Sequence, residues 1–155
     1  MLIRKARLDD VNIIAEMFER MYALNSEFDP LLQVHDDVED RLKKSLDSDV
    51  NGNESVVAVA EDEGKVIGAV RVRLQKREYY VPENMAVIEE IYVLPSYRRR
   101  GVGEMLLDFV IKELSRKGVR SIIARFPAKN IIAVSFYEKR GFREIHYEYI
   151  KKIES

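Results

Sequence analysis

The sequence predicts one mixed α/β domain over residues 1–155. Its elements run in the order β α α β β β α β α β(β), giving a mixed central sheet of six to seven strands flanked by about four helices. Three observations predict this class. Two β-branched runs, Val56 to Ala60 and Val66 to Leu74, are separated only by the turn Glu61-Asp62-Glu63-Gly64, which reads as an antiparallel hairpin. A third run, Val87 to Val93, leads through a glycine turn into an apolar-periodic helix and then another β-rich run, Ser121 to Phe126, so strands and helices alternate in this half. No repeat, linker or low-complexity stretch divides the 155 residues, of which 46% are apolar, enough for one domain with a real core.

Each element has a local reason. Leu2 to Ala6 is a short β-like run. Asp9 is placed as an N-cap for a helix whose apolar positions Val11, Ile14, Phe18 and Met21 recur at three- and four-residue steps. That pattern fails from Asn25 to Pro30, a loop. A second helix is expected over Asp36 to Leu46, with Val38, Leu42 and Leu46 on one face, followed by the turn cluster DVNGNE. In the hairpin's second strand, Val70, Val72 and Leu74 alternate with Arg71 and Arg73, which predicts one wet face. The helix from about Glu104 to Lys117 presents Leu106, Leu107, Val110, Ile111 and Leu114. It closes on Arg116-Lys117-Gly118, a basic last turn followed by a glycine stop. Asn130 is a good N-cap for a last helix ending at Gly141, and Phe142 to Ile153 is expected to supply one or two final strands.

Composition excludes several classes. The net charge of −1 supplies no global basic field for nucleic acid or membrane. The chain has no cysteine, which removes thiol nucleophiles, disulfides and thiolate zinc sites. MLIRKARLDD lacks the apolar core of a signal peptide and no apolar run approaches a membrane span, so a cytoplasmic protein is expected. His35 and His146 have no neighbouring ligand set, so no metal is assigned. The serines lack a histidine-plus-carboxylate arrangement, so a serine hydrolase is not supported.

The informative stretch is AVIEEIYVLPSYRRRGVGEMLLDFVIKELSRKG, Ala86 to Gly118. A strand, the turn Arg98-Arg99-Arg100-Gly101-Val102-Gly103 and a helix follow one another, which builds an anion site. Glycines let main-chain N–H groups approach a phosphate, and the helix start adds roughly half a positive charge. Three arginines add full charges and forked donors. No Gly-Lys-Ser/Thr closes the turn, so it is not a Walker A loop, and Leu106 stands where a dinucleotide fingerprint wants a third small residue. A nucleotide such as ATP or NAD stays a competing ligand, and a solvated loop with a charge run is the bland alternative. Nucleic-acid binding through three arginines without a wider basic face ranks below both.

Two constellations carry candidate chemistry. Glutamate is depleted in strands, yet Glu89 and Glu90 stand together inside VIEEIYV. Alternation places Val87, Glu89, Ile91 and Val93 on one side and Ile88, Glu90 and Tyr92 on the other. Each carboxylate then needs a partner, with Arg71, Arg73 and Arg125 available, or a wet cleft where it serves as a base. In NIIAVSFYEKRGF, Tyr137 lies seven residues after Asn130 on a helical face shared with Ala133, a place that by itself suits a packed amphipathic aromatic.

The run IYVLPSY followed by Arg98-x-x-Gly101-x-Gly103 resembles the acetyl-CoA signature of the GNAT superfamily of N-acetyltransferases. NIIAVSFYEKRGF resembles that superfamily's C-terminal motif, in which the asparagine contacts the cofactor and the tyrosine is the general acid. The likeness extends from IRKARLDDVNIIAEMF to the last strands and is strongest over Val87 to Phe142. It implies the GNAT fold and direct acetyl transfer from acetyl-CoA, the cosubstrate, to a primary amine: a small amine, a polyamine or a peptide amine. It implies a sheet splayed open between Val87–Val93 and Ser121–Phe126. The pantetheine arm would pair along Ile91, Tyr92 and Val93, and the pyrophosphate would sit on the turn Arg98 to Gly103, with Asn130 and Tyr137 completing the cofactor contacts. Glu89, with Glu90 in reserve, would be the base, an N–H near Val93 would face the oxyanion, and Tyr137 would protonate the thiolate. Phe126 stands where peptide N-terminal acetyltransferases of the family place a glutamate, a departure that weighs against that substrate. The acidic stretch Glu27 to Asp49 suits a cationic amine. The family often forms homodimers, so a homodimer is also implied. A non-catalytic acyl-CoA-binding regulatory module of the same fold is the alternative.

Overall fold

A computed structural model of the chain describes residues 1–154. Five strands form one sheet in the order β1-β2-β3-β4-β5: Leu2–Lys5, Ser55–Asp62, Lys65–Lys76, Asn84–Val93 and Ile122–Ala124. The first four are antiparallel neighbours, and β5 joins β4 in parallel after the crossover through helix α3, Val102–Arg116. Helices α1, Val11–Asn25, and α2, Val38–Val50, pack on one face of the sheet. Helix α3 and the eight-residue α4, Ile131–Glu138, lie on the other.

Alternation along β2 and β3 divides the core in two. Val56, Ala58, Val70 and Val72 meet Leu106, Val110 and Leu114 of α3, while Val57, Val59 and Ala69 meet Ile14, Phe18 and Leu46 of α1 and α2. The apolar spacing read along α1 and α3 is the buried face of each helix, except that Ile111 of α3 is 42% exposed. Gly118, with φ +78°, ends α3 in the left-handed conformation expected of the stop.

Several expectations change. Asp9 belongs to a single 3-10 turn, Leu8–Asp10, and α1 begins after Asp10. The Asp10 carboxylate accepts the Arg7 N–H at 2.7 Å and a two-pronged contact from Arg4, so it is drawn inward rather than left as an exposed cap. Helix α2 begins two residues later than expected and runs on to Val50, because Asp49 is buried and holds arginines of β3. The expected wet face of β3 is instead covered by α1 and α2: Arg71 is only 4% exposed. The final strands are not formed. Residues 143–154 pair with no strand and are all exposed, so the sheet has five strands rather than six or seven. A segment becomes a strand only when another strand accepts its main-chain groups, and none does here.

Candidate active site

The site grows out of one irregularity in β4. Arg71 of β3 pairs with Glu90 and Val72 pairs with Ile88, leaving Glu89 as an extra residue opposite none. Such a bulge bends the strand and interrupts its alternation. Ile88 therefore faces α3 while Glu90 and Tyr92 face α1 and α2, which corrects the expectation that these three share a side. Glu89 turns toward the α1/α2 side as well, lying 3.6 Å from Arg73, an arginine that also holds Asp49 of α2. The two carboxylates thus sit on the same side of the sheet.

Their environments differ. Glu90 is 2% exposed, and its oxygens accept from Arg71 Nε at 2.7 Å, Arg71 Nη2 at 2.6 Å and the Tyr22 hydroxyl at 2.6 Å. Arg71 also donates to Asp49 at 2.9 Å and to the Ser45 hydroxyl at 2.8 Å. Burial alone would disfavour the Arg71 charge, but the hydrogen bonds and charge of Glu90, then Asp49, outweigh it and hold the guanidinium protonated. Burial and the Glu90 charge likewise push the Tyr22 phenol up. Both oxygens of Glu90 are committed to this network, through three hydrogen bonds. Held in this way, Glu90 is a buried brace on the bulge. Glu89 keeps a side chain 35% exposed and one long contact, so it is the more accessible of the two carboxylates.

Beyond the bulge the sheet opens. β5 pairs with β4 only at Ala86, Val87 and Ile88, and from Glu89 onward β4 has β3 on one side and no strand on the other. The Leu94 N–H donates to Ile67 in β3, so alternation turns the main-chain groups of Val93 and Ile91 toward the open edge. The Val93 carbonyl there accepts Arg98 Nε at 3.0 Å, leaving its N–H unclaimed. Tyr92 has the opposite parity: its main chain faces β3, and its ring is buried beneath the Arg98 guanidinium at 5.2 Å. Of the expected pairing positions, Ile91 and Val93 therefore offer their main chain, whereas Tyr92 does not.

The turn at the end of the open edge gathers main-chain amides. Arg99 and Gly101 both take left-handed conformations, φ +65° and +76°, which curls the chain into the start of α3. The N–H of Arg98 goes to Pro95 and that of Met105 to Gly101. Among the described residues, no protein acceptor serves the N–H groups of Arg99 through Glu104. Arg98, Arg99 and Arg100 are exposed around these amides, with Arg100 lying 5.3 Å over the Tyr97 ring. Gly103 lets α4 come close: a Cβ there would lie 3.2 Å from the Phe136 ring. Arg140 ties the same two helices together, donating to Glu104 at 3.2 Å and to the Phe136 carbonyl at 2.8 Å, so it is engaged in packing rather than free for a ligand.

Helix α4 starts as the sequence indicates, with the Asn130 carboxamide oxygen accepting the Ala133 N–H at 3.1 Å. Tyr137, 7% exposed, stacks on Phe126 at 5.2 Å and meets the Phe142 ring edge-on at 5.1 Å. Its hydroxyl makes no hydrogen bond among the described residues, and burial pushes the phenol up to about 12. Tyr137 belongs to the core on the α3 side, whereas Glu89 stands on the α1/α2 side. The gap between β4 and β5 connects the two faces. The pairing of the glutamates with Arg71 and Arg73 is the one the sequence offers; sequence reasoning missed the other supports, Tyr22 and Asp49, which lie far away in the chain.

An open strand edge, a run of free amides at a helix start and a buried phenol across the gap lie together at this end of the sheet. Residues 18–142 match the Acetyltransferase (GNAT) family, and the chain belongs to that family. The [ribosomal protein bS18]-alanine N-acetyltransferase of Salmonella typhimurium is 41% identical over 59 residues, 38% of this chain and 40% of that protein. The match thus spans about two fifths of that relative's length. The fold is similar to the crystal structure of a predicted acetyltransferase with acetyl-CoA from Clostridium acetobutylicum, with TM-score 0.80, 17% identity, and 98% of this chain and 95% of that one covered. It is also similar to a tetramutant of the BH1408 protein from Bacillus halodurans, with TM-score 0.83, 18% identity, and 99% and 100% covered.

Proposed function

We propose that this chain is an acetyl-CoA-dependent N-acetyltransferase that moves an acetyl group directly to a primary amine. The observation that carries the reading is the coincidence of the open β4 edge with the unclaimed amides from Arg99 to Glu104. An arm with amide groups, attached to a diphosphate, fits both at once: the arm bonds along Ile91 and Val93 as an added strand, and the diphosphate meets the unclaimed amides. The arginines Arg98, Arg99 and Arg100 screen the diphosphate charge.

Acetyl-CoA supplies an activated thioester. The chain's own residues do the rest. An alkyl amine has a reference pKa of about 10.4 and is almost all ammonium at neutral pH, so it must lose a proton before it attacks. Glu89, the accessible carboxylate at the bulge, takes that proton directly or through a water. The Val93 N–H, turned to the open edge, donates to the thioester carbonyl oxygen as charge grows there. The Tyr137 phenol, held protonated by burial, gives its proton to the departing sulfur. Nitrogen gains the acyl carbon and the carbon–sulfur bond breaks; of the two protons the ammonium loses, one leaves through Glu89 to solvent, and the other, shed as the amide forms, makes good the proton that Tyr137 gave to sulfur.

The acceptor is a cationic amine drawn to the acidic α1–α2 region. The name of the Salmonella relative keeps a peptide amine among the candidates although Phe126 replaces a carboxylate. A homodimer working in the cytoplasm completes the proposal. Free thiol released from acetyl-CoA, measured across small amines, polyamines and peptides, tests it. Turnover with one class supports the reading. Tight CoA binding by calorimetry with no release across the panel would instead identify a silent acyl-CoA-binding module.

A further inference from the structure

Asp49 is an acid in an unfavourable place. It stands in the last turn of α2, one residue before the helix ends at Val50, where the free carbonyl groups already carry partial negative charge and no basic residue offsets them. It is also only 9% exposed. A carboxylate set against a helix dipole and out of water needs strong partners, and β3 supplies two. Its Oδ2 accepts Arg71 Nη1 at 2.9 Å and Arg73 Nη2 at 2.8 Å, and its Oδ1 accepts Arg73 Nη1 at 3.4 Å.

The two arginines are not equally engaged. Arg71 also donates to both Glu90 oxygens and to the Ser45 hydroxyl, one helical turn before Asp49. Arg73 has a side chain 40% exposed, and among the described residues its other ion-pair partner is Glu89, whose Oε1 lies 3.6 Å from Nε. One guanidinium therefore meets two carboxylates. Asp49 takes the Nη edge within bonding distance, and Glu89 stands off the Nε side. A forked contact fixes a planar group in place, whereas a single N–O separation of 3.6 Å is too long for a hydrogen bond and acts through charge alone. Glu89 is faced by Arg71 and Arg73 of β3, Asp49 of α2, Glu90 of its own strand and the Tyr22 hydroxyl of α1. Two arginines stand against three carboxylates here, and the distances identify Glu89 as the one without a cation of its own.

We propose that Asp49 is a positioning residue for the reaction: by holding Arg73 it keeps that cation beside Glu89, which gives the carboxylate its direction, yet stops the two from closing into a hydrogen-bonded pair that would shut out the amine. The proposal rests on the reading of Glu89 as the base. An ammonium ion that approaches Glu89 competes with Arg73 for the same oxygens. While Arg73 is anchored, the ammonium meets an open carboxylate. Once Arg73 is released, a rotation of its side chain brings a forked guanidinium onto Glu89, and a tethered partner outcompetes a dissolved one.

Two measurements test this. The first needs no acceptor. In urea unfolding, a double-mutant cycle of Arg73→Gln and Glu89→Gln is expected to show a coupling below about 2-fold in the folding equilibrium constant, rising to about 5-fold when the cycle is repeated on Asp49→Asn. The second is thiol release from acetyl-CoA with spermidine and with a peptide beginning in alanine. Asp49→Asn should lower kcat by about 10- to 100-fold at unchanged KM for acetyl-CoA. Arg73→Gln alone should cost a little, but added to Asp49→Asn it should restore most of the loss, a reversal of sign that general damage to packing does not produce. Ser45→Ala takes a contact from Arg71 and none from Arg73, so it should leave kcat where it was. A coupling above about 2-fold in the parent overturns the proposal even if Asp49→Asn does not fold. So does a coupling that Asp49→Asn leaves unchanged, or a kcat that Arg73→Gln does not restore. Full turnover in Glu89→Gln removes the base and this proposal with it, whereas lost turnover there with unchanged coupling removes the proposal alone.

Discussion

Replacing Tyr137 with phenylalanine removes one oxygen and almost nothing else. The ring keeps its stack on Phe126 and its edge contact with Phe142, and the hydroxyl it loses bonds to no described residue. Stability should therefore change by no more than about 0.5 kcal/mol, the range of a substitution that breaks no specific feature. Truncation to alanine, by contrast, empties the aromatic cluster and should cost about 3–5 kcal/mol. The catalytic effect is expected to be the reverse of this ranking. A proton donor to a leaving group contributes about 10²- to 10⁴-fold, or roughly 2.7–5.4 kcal/mol of barrier. Steady-state kcat from thiol release, paired with CoA affinity from calorimetry and a urea midpoint, separates the contributions. Tyr137→Phe should lose kcat at unchanged CoA affinity and unchanged midpoint. A variant that turns over like the parent removes Tyr137 from the chemistry. One that loses affinity and midpoint together makes it a packing residue.

The brace on the bulge predicts a different signature. Glu90→Ala strands the buried Arg71 charge and should cost about 3–5 kcal/mol in urea unfolding, while Glu90→Gln keeps an acceptor and should cost clearly less. Equal losses would mean that charge at this position is irrelevant. Gly101→Ala forces a side chain onto a residue at φ +76° and should cost about 1–2 kcal/mol. It should also weaken CoA binding more than it slows turnover at saturation. The Tyr137 phenol, raised to about 12 in the folded chain, also sets a sign for alkaline stability. Below pH 10 both folded and unfolded states hold the proton. Between about 10 and 12 the unfolded state releases it first, so the fold loses stability as pH rises through this window. Tyr137→Phe should remove that part of the decline, measured as urea midpoints from pH 9 to 12.

Much of the fold was legible because its signals are local. The hairpin at Val56–Leu74, the helix stop at Gly118 and the N-cap at Asn130 each rest on a few neighbouring residues. The arginine–glycine turn was legible for the same reason, since main-chain geometry at a helix start follows from glycine placement. The bulge at Glu89 was not. Strict alternation assigned Glu89 and Glu90 to opposite faces, and only the register against Arg71 and Val72 reveals the extra residue. The burial of Arg71 was hidden too, because the helices that cover it come from residues 11–50, far away in the chain. Residues 143–154 show the converse: the strand pattern is plain in the sequence, but a strand exists only where a neighbour accepts it.

Placing Glu89 and Tyr137 on opposite faces of one sheet has a kinetic corollary. Under the proposed direct transfer, donor and acceptor approach the gap from different sides and are both present when the acetyl group moves. Double-reciprocal plots at varied donor and acceptor concentrations should intersect rather than run parallel, and the desulfo form of the donor should compete with it while leaving the amine free to bind.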